Sequence, residues 1–294
     1  MSEPPILTAV PNVSEGRDRG VLERIERGFA PARFLDLHAD PDHNRSVFTL
    51  AARQGELADG LVAGARAVLE AVDLTGHGGV HPYVGALDVM PVVYRSDAER
   101  GPACAEALTA AARIGAELEL PVVLYGELAT RPEHRERGWL RRGGAAVLAK
   151  RIAAGEVRPD FGPERAHPTA GVVLAAARPP LVAFNVDLET ADVDVARAIA
   201  ATIRESDGGM PGVRAIGLYL ERRGRAQVST NVHDHLATPL SEIVAAVRAR
   251  APIAEAELVG LAPRAAFAGF PDDVPLRGFT PGRHLLESVL DTVA

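Results

Sequence analysis

The chain has 294 residues, a formal net charge of −7, and 47% apolar against 24% charged residues. That balance excludes a natively disordered chain, which lacks the apolar surface to offset ordering entropy. The acidic surplus argues against a general affinity for nucleic acid or for acidic membranes. At roughly 150 residues per domain the length implies two domains or one large one. Cys104 is the single cysteine, so no intrachain disulfide and no cysteine-based zinc cluster is expected. The opening MSEPPILTAV lacks the basic and long apolar regions of a secretory signal. No apolar run approaches the roughly 20 residues that span a bilayer, and a cytoplasmic location is expected.

Ile6 to Val13 reads as a β-rich run ending in the turn Ser14-Glu15-Gly16. RDRGVLERIERGF follows, with Val21, Leu22, Ile25 and Phe29 on one helical face. FLDLHAD and SVFTLAA read as strands around the turn-forming Asp40-Pro41-Asp42-His43-Asn44. GELADGLVAGARAVLEAV has helical apolar spacing. ALDVMPVVY and LPVVLYG are strands on either side of a helix that carries Cys104. The stretch from Glu133 to Gly171 is rich in glycine, proline and arginine, and much of it is expected to be loop.

A second cycle starts near residue 180, with LVAFNVDLET as a strand and ADVDVARAIAATIRE as a helix. VRAIGLYLE and RAQVSTNV predict a hairpin around Arg222-Arg223-Gly224. Thr238 is expected to cap the helix LSEIVAAVRARA, with Pro239 at its first position. AELVGLA supplies a last strand, and His233 and His235 fall on one side of a putative strand end. The fold class is therefore α/β (α+β), with helices covering sheets. VPNVSEGRD and AFNVDLETAD resemble each other, each followed by a helix, which points to two similar α/β subdomains. The double proline at Pro179-Pro180 marks the boundary, giving residues 1–178 and 179–294.

Polar segments at strand ends and in glycine-rich loops are where binding groups usually sit. His77 and His81 are four apart, but intervening glycines and Pro82 argue against a metal-binding helix face. A histidine held in a rigid loop fits a general base better, because its pKa lies near neutral pH. There is no phosphate-cradling GxxxxGK[ST], and Ser14 and Ser229 lack a GxSxG setting. Arg45, Arg158 and Arg165 lie in loops beside Asn44, Asp160 and Glu164, and their planar forks suit a small acid.

Taken in order, PNVSEGRD, HNRSVFTL, HGGVHPYVGALDVMPVV, PVVLYGE, RPDFGP, AFNVDL, AQVSTN and ELVGL resemble the formiminotransferase family. The resemblance implies two α/β subdomains with a substrate groove between them, and a homodimer. It also implies transfer of a formimino group from N-formimino-L-glutamate to N5 of the co-substrate tetrahydrofolate. The family's proposed general base maps onto His81. Asn12, Asn44, Arg45, Tyr83, Gly85, Asp160, Gly162 and Asn231 are expected to line the groove, with no metal. The cyclodeaminase that follows in bifunctional relatives is expected to be a separate protein.

Two positions depart from the family pattern. Tyr83 stands where the family usually has arginine after His-Pro, and His38 stands where it carries an acidic residue. His38 is thereby a second candidate for acid–base work. The same residues leave open a folate one-carbon enzyme acting on a different formyl or formimino donor, and a non-catalytic folate-binding dimer.

Overall fold

The computed structural model describes residues 3–292 of the chain. They divide between Pro179 and Pro180 into two compact units. The first holds β1 (Ile6–Ala9), β2 (Asn12–Val13), α1 (Arg19–Gly28), β3 (Arg33–Asp40), β4 (Arg45–Arg53), α2 (Leu57–Ala71), β5 (Leu87–Val93), α3 (Asp97–Glu117), β6 (Val122–Leu124), α4 (Arg137–Arg141), α5 (Gly144–Ala153) and β7 (Val173–Arg178). The second holds β8 (Val182–Leu188), α6 (Val193–Ile203), β9 (Val213–Leu220), β10 (Arg225–Val232), α7 (Leu240–Arg248), β11 (Ile253–Val259), α8 (Pro281–His284) and α9 (Leu286–Leu290).

Each unit carries the same βαββαβ path. In the first, β3 pairs with β4, β4 with β1 and β2, and these with β5, all antiparallel. In the second the order is β9, β10, β8, β11, again antiparallel throughout. The first unit then extends its sheet: β7 runs parallel to β5, and β6 parallel to β7. The likeness between VPNVSEGRD and AFNVDLETAD is thus a likeness of first strand and first helix in two equivalent frames.

Apolar spacing explains most elements. Val21, Leu22 and Ile25 are the buried face of α1, whose start is capped by the Asp18 carboxylate accepting the Val21 N–H at 3.0 Å. Phe29 is wholly buried against Phe48, ring centroids 5.3 Å apart. Helix α2 meets that pair through Gly64, where a Cβ would come within 2.0 Å of the Phe29 ring.

Several details differ from the sequence expectation. The run from Ile6 to Val13 is two strands, because Pro11 has no N–H to keep the ladder going. The 133–171 stretch contains α4 and α5, separated by Arg142 and Gly143, the glycine at φ 77°. Leu140, Leu148 and Ile152 are their buried side chains. Strand β7 was not expected, since half of VLAAAR is alanine, a poor strand former. Thr238 does not cap α7: its hydroxyl donates to the Pro211 carbonyl at 2.9 Å, and Pro239 is the N-cap. Strand β10 ends at Val232, so His233 and His235 lie beyond it. Among the described residues no helix is long and apolar enough to cross a membrane.

Gly64→Ala should lower the unfolding free energy by about 1–3 kcal/mol, the usual cost of overpacking a filled core. Chemical denaturation followed through Trp139 measures it, and an unchanged midpoint would contradict the packing of α2 on Phe29.

Candidate active site

Strand β5 is buried on both faces, yet it carries a carboxylate. Asp88 has no exposed surface, and its Oδ1 accepts the Val84 N–H at 2.8 Å. Its Oδ2 accepts Arg45 Nη1 at 2.6 Å from the first residue of β4, and also Arg141 Nη2 from the end of α4. Arg45 is held from its other side by Asn12 Oδ1, which accepts Nη2 at 2.6 Å and Nε at 3.2 Å. The Asn12 amide is oriented in turn by donating Nδ2 to the Val10 carbonyl at 2.8 Å. Each polar group therefore has its place fixed by another.

The loop before β5 is pinned by Asn44, a non-glycine residue at φ 46°. Asn44 accepts the Gly16 N–H at 3.0 Å and donates to the Gly78 carbonyl at 3.1 Å, with His77 Nδ1 at 3.2 Å. Tyr83 donates its hydroxyl to the His77 carbonyl at 3.2 Å and packs edge-on to the His77 ring. Gly85 comes so close to β7 that a Cβ would meet the Val172 carbonyl oxygen at 2.2 Å, while its own carbonyl accepts the Ser14 hydroxyl at 2.8 Å.

Half-buried His81 follows the loop glycines, with Nδ1 2.8 Å from the Pro82 carbonyl oxygen. A carbonyl only accepts, so Nδ1 carries the hydrogen and Nε2 carries the lone pair. Burial, and then the cations Arg45 and Arg141, hold the ring's pKa well below the usual histidine value. The ring is neutral near physiological pH. Burial lowers Arg45 against the raising effect of Asp88, brings Arg141 down to about 9, and brings Arg178 down to about 10 beside Tyr125. Burial alone would raise Asp88, but Arg141 and Arg45 override it and keep the carboxyl below its ordinary value. Positive charge crowded into a buried space is the chemistry of an anion site.

The structure brings Asn12, Asn44, Arg45, His81, Tyr83 and Gly85 into this one neighbourhood of the first unit. The other expected residues have settings of their own. His38 is half-buried in β3 opposite Val47, and the imidazole packed near His81 belongs to His43. Asp160 braces β6, accepting the Leu124 N–H at 2.7 Å and the Thr130 hydroxyl at 2.5 Å. Gly162, at φ 80°, lets that loop pass the Leu120 carbonyl, which a Cβ would meet at 2.3 Å. Asn231 lies in β10 of the second unit, opposite Ala183 and Arg214. Arg158 pairs with Glu164 at 3.2 Å on the surface.

Asp88, Arg141, Arg178 and His43 were not singled out from the sequence. Asp88 left a signal, a lone carboxylate inside the apolar run Leu87–Val93. Arg141 left none, because its partner is 53 residues away in the chain. Among the described residues no cluster of three or more His, Cys, Asp or Glu is arranged to hold a metal ion.

Acid should destabilise the fold in two stages. Burial is the first cause of the lowered pKa of His77, His81, His134 and His235. The unfolded chain therefore binds more protons below about pH 6.5, and stability falls as pH drops from there. The Asp88 contribution is present above its unfolded value near 3.8 and is lost as pH falls through its lower folded one. Melting curves from pH 8 to 3 should show both, and a flat profile above pH 4 would contradict the buried neutral rings. Asp88→Asn should cost about 3–5 kcal/mol by leaving Arg45 and Arg141 without their buried counter-charge. Urea titration measures that loss.

Known proteins resemble this chain along nearly its whole length. The family model "Formiminotransferase domain, N-terminal subdomain" matches residues 6–178, and "Formiminotransferase domain" matches residues 183–270. A glutamate formimidoyltransferase of Thermoplasma acidophilum is 34% identical, covering 98% of this chain and 98% of the relative. One from Streptococcus pyogenes serotype M1 is 35% identical over 88% of this chain and 89% of the relative. The formimidoyltransferase-cyclodeaminase of Mus musculus is 35% identical over 88% of this chain and 50% of its own length. Both halves of the fold and the full-length relatives agree, and the chain belongs to the formiminotransferase family.

Proposed function

We propose that the chain is a glutamate formimidoyltransferase, moving a formimino group from N-formimino-L-glutamate to N5 of tetrahydrofolate. The observation that carries this reading is a neutral imidazole with its lone pair on Nε2, set beside buried guanidiniums. Both substrates are carboxylates, which suit those guanidiniums, and the nucleophilic nitrogen must shed a proton, which suits the imidazole. His81 takes that proton through Nε2 while the Pro82 carbonyl holds the ring from the other side. Much of the acceleration comes from aligning two substrates against one rigid wall. The rigidity has a visible source in the Asn12–Arg45–Asp88–Arg141 chain.

Tyr83 does not replace the arginine that usually follows His-Pro. Its hydroxyl is engaged with the His77 carbonyl, so it braces the loop. Carboxylate recognition falls instead to Arg141 and Arg178, together with Arg137, whose charge helps to lower His81, Arg141 and Arg178. The reading carries with it a homodimer in the cytoplasm, and a product passed on to a cyclodeaminase.

Incubated with tetrahydrofolate and formiminoglutamate, the protein should yield 5-formiminotetrahydrofolate and glutamate, detected by mass. Binding of folate with no turnover of this donor would favour a different formyl or formimino donor, and no folate binding at all would sink the reading. His81→Ala should lower kcat by about 10²–10⁴-fold. Arg178→Gln should raise KM for an anionic substrate roughly ten- to hundredfold with little change in kcat. Steady-state kinetics separates the two effects.

A further inference from the structure

The site contains a second imidazole that the scheme above leaves idle. His43 lies in the turn between β3 and β4 and is only 5% exposed. Its Nδ1 is 3.0 Å from Asp40 Oδ1. That same oxygen accepts the backbone N–H groups of Asp42 at 2.8 Å and of His43 at 2.9 Å. One carboxylate thus fixes the turn through two backbone N–H groups and lies within ion-pair distance of the ring, whose buried Nδ1 has no hydrogen-bond partner. The His43 ring is 5.9 Å from the His81 ring between centroids, with the planes inclined at 52°. The two loops also touch through their backbones. Val80 N–H donates to the Asp42 carbonyl at 3.2 Å, and a Cβ on Gly79 would meet the His43 carbonyl at 2.3 Å. The titratable groups against the His43 ring are Asp40 from its own turn and His81 from the loop before β5.

Formimino transfer needs two proton movements at one carbon. A proton leaves N5 as its bond to that carbon forms, and the departing glutamate nitrogen gains one as its bond breaks. His81 suits the first task. The cations that keep it neutral make it a poor store for the proton the second task needs.

We propose that His43, braced by Asp40, is the second acid–base group of this site and delivers the proton to the departing glutamate nitrogen. The inference rests on the formimino-transfer reading. Atoms and charges balance: N5 gives one proton to His81, His43 gives one to glutamate, and one bond forms as one breaks. One proton passing from His81 to His43 between turnovers restores both rings, with the Asp40 carboxylate as counter-ion to the recharged imidazolium. No oxidant or reductant is involved.

The test combines His43→Ala, His43→Gln and Asp40→Asn with kinetics and proton titration. His43→Ala should lose kcat on the order of a hundredfold while KM for both substrates holds. Added azoles should restore its turnover in an order set by their pKa, a dependence that mere cavity filling does not produce. His43→Gln, which keeps the bulk without the titrating proton, should retain the melting midpoint but not kcat, and Asp40→Asn should fall between. Full kcat in a folded His43→Gln, or rescue indifferent to azole pKa, would overturn the proposal. Imidazole resonances of the unsubstituted protein, followed by NMR against pH, give a readout that needs no substrate. Coupled titration of His43 and His81 supports the shared proton, and independent titration rejects it. If the unsubstituted protein transfers no formimino group, the functional reading fails on its own assay and the titration still decides whether the rings act as a pair.

Discussion

A carboxylate with no exposed surface sits near the start of β5, and the rest of the site is arranged around it. An isolated charge there would be prohibitively desolvated, so Asp88 is tenable only with strong partners. Those partners come from far apart in the chain: Arg45 from β4, Arg141 from α4, and the Val84 N–H from the loop below. One electrostatic requirement therefore ties the sheet to the glycine-rich loop and to the helices between β6 and β7. The ion pairs contribute position more than stability, because much of their attraction goes to offset desolvation.

Position is what the chemistry needs. The arginines that neutralise Asp88 also set the potential at His81, and burial together with those cations keeps its ring unprotonated. The proposed base and the proposed anion-binding groups are thus two readings of one charge arrangement. The Pro82 carbonyl adds the remaining choice by fixing which ring nitrogen holds the hydrogen. Trp139 extends the arrangement outward, with the Arg151 guanidinium 3.9 Å over its ring and with buried His134 beside it. Helix α4, which delivers Arg141, is thereby packed in place by its own aromatic residue.

Local signals made much of this legible. Helices α1 and α2 follow from apolar spacing, the β9–β10 hairpin from Arg222-Arg223-Gly224, and His81 from the His-Pro loop. Asn44 and Arg45 were readable from their turn, whereas Asn12, Tyr83 and Gly85 were picked out through the resemblance to the formiminotransferase family. What escaped were residues whose meaning depends on distant partners. Arg141 looks like any surface arginine until the fold sets it against Asp88. His38 and His43 look interchangeable until strand pairing puts one opposite Val47 and the other near His81. Asp160 and Gly162 carry binding-loop chemistry, yet that chemistry is used to fasten a loop to β6. Strand β7 was hidden for another reason: alanine says little about strands, and burial between β5 and β6 decides the matter.

The doubled βαββαβ path has a consequence of its own. In the first frame Asn12, on the leading strand, faces Val47 and Val89; in the second Asn185, on the leading strand, faces Ser229 and Glu257. Around the second frame the polar interior is an ion network, with Asp187 accepting Gln227 Nε2 at 2.7 Å and Arg223 Nη1 at 3.2 Å. Two copies of one pleated scaffold have thus been given different internal wiring. One sets its hidden charge beside a buried imidazole that the cations keep neutral, and the other closes its charges upon one another. Symmetry of backbone in this chain goes with a division of labour among side chains.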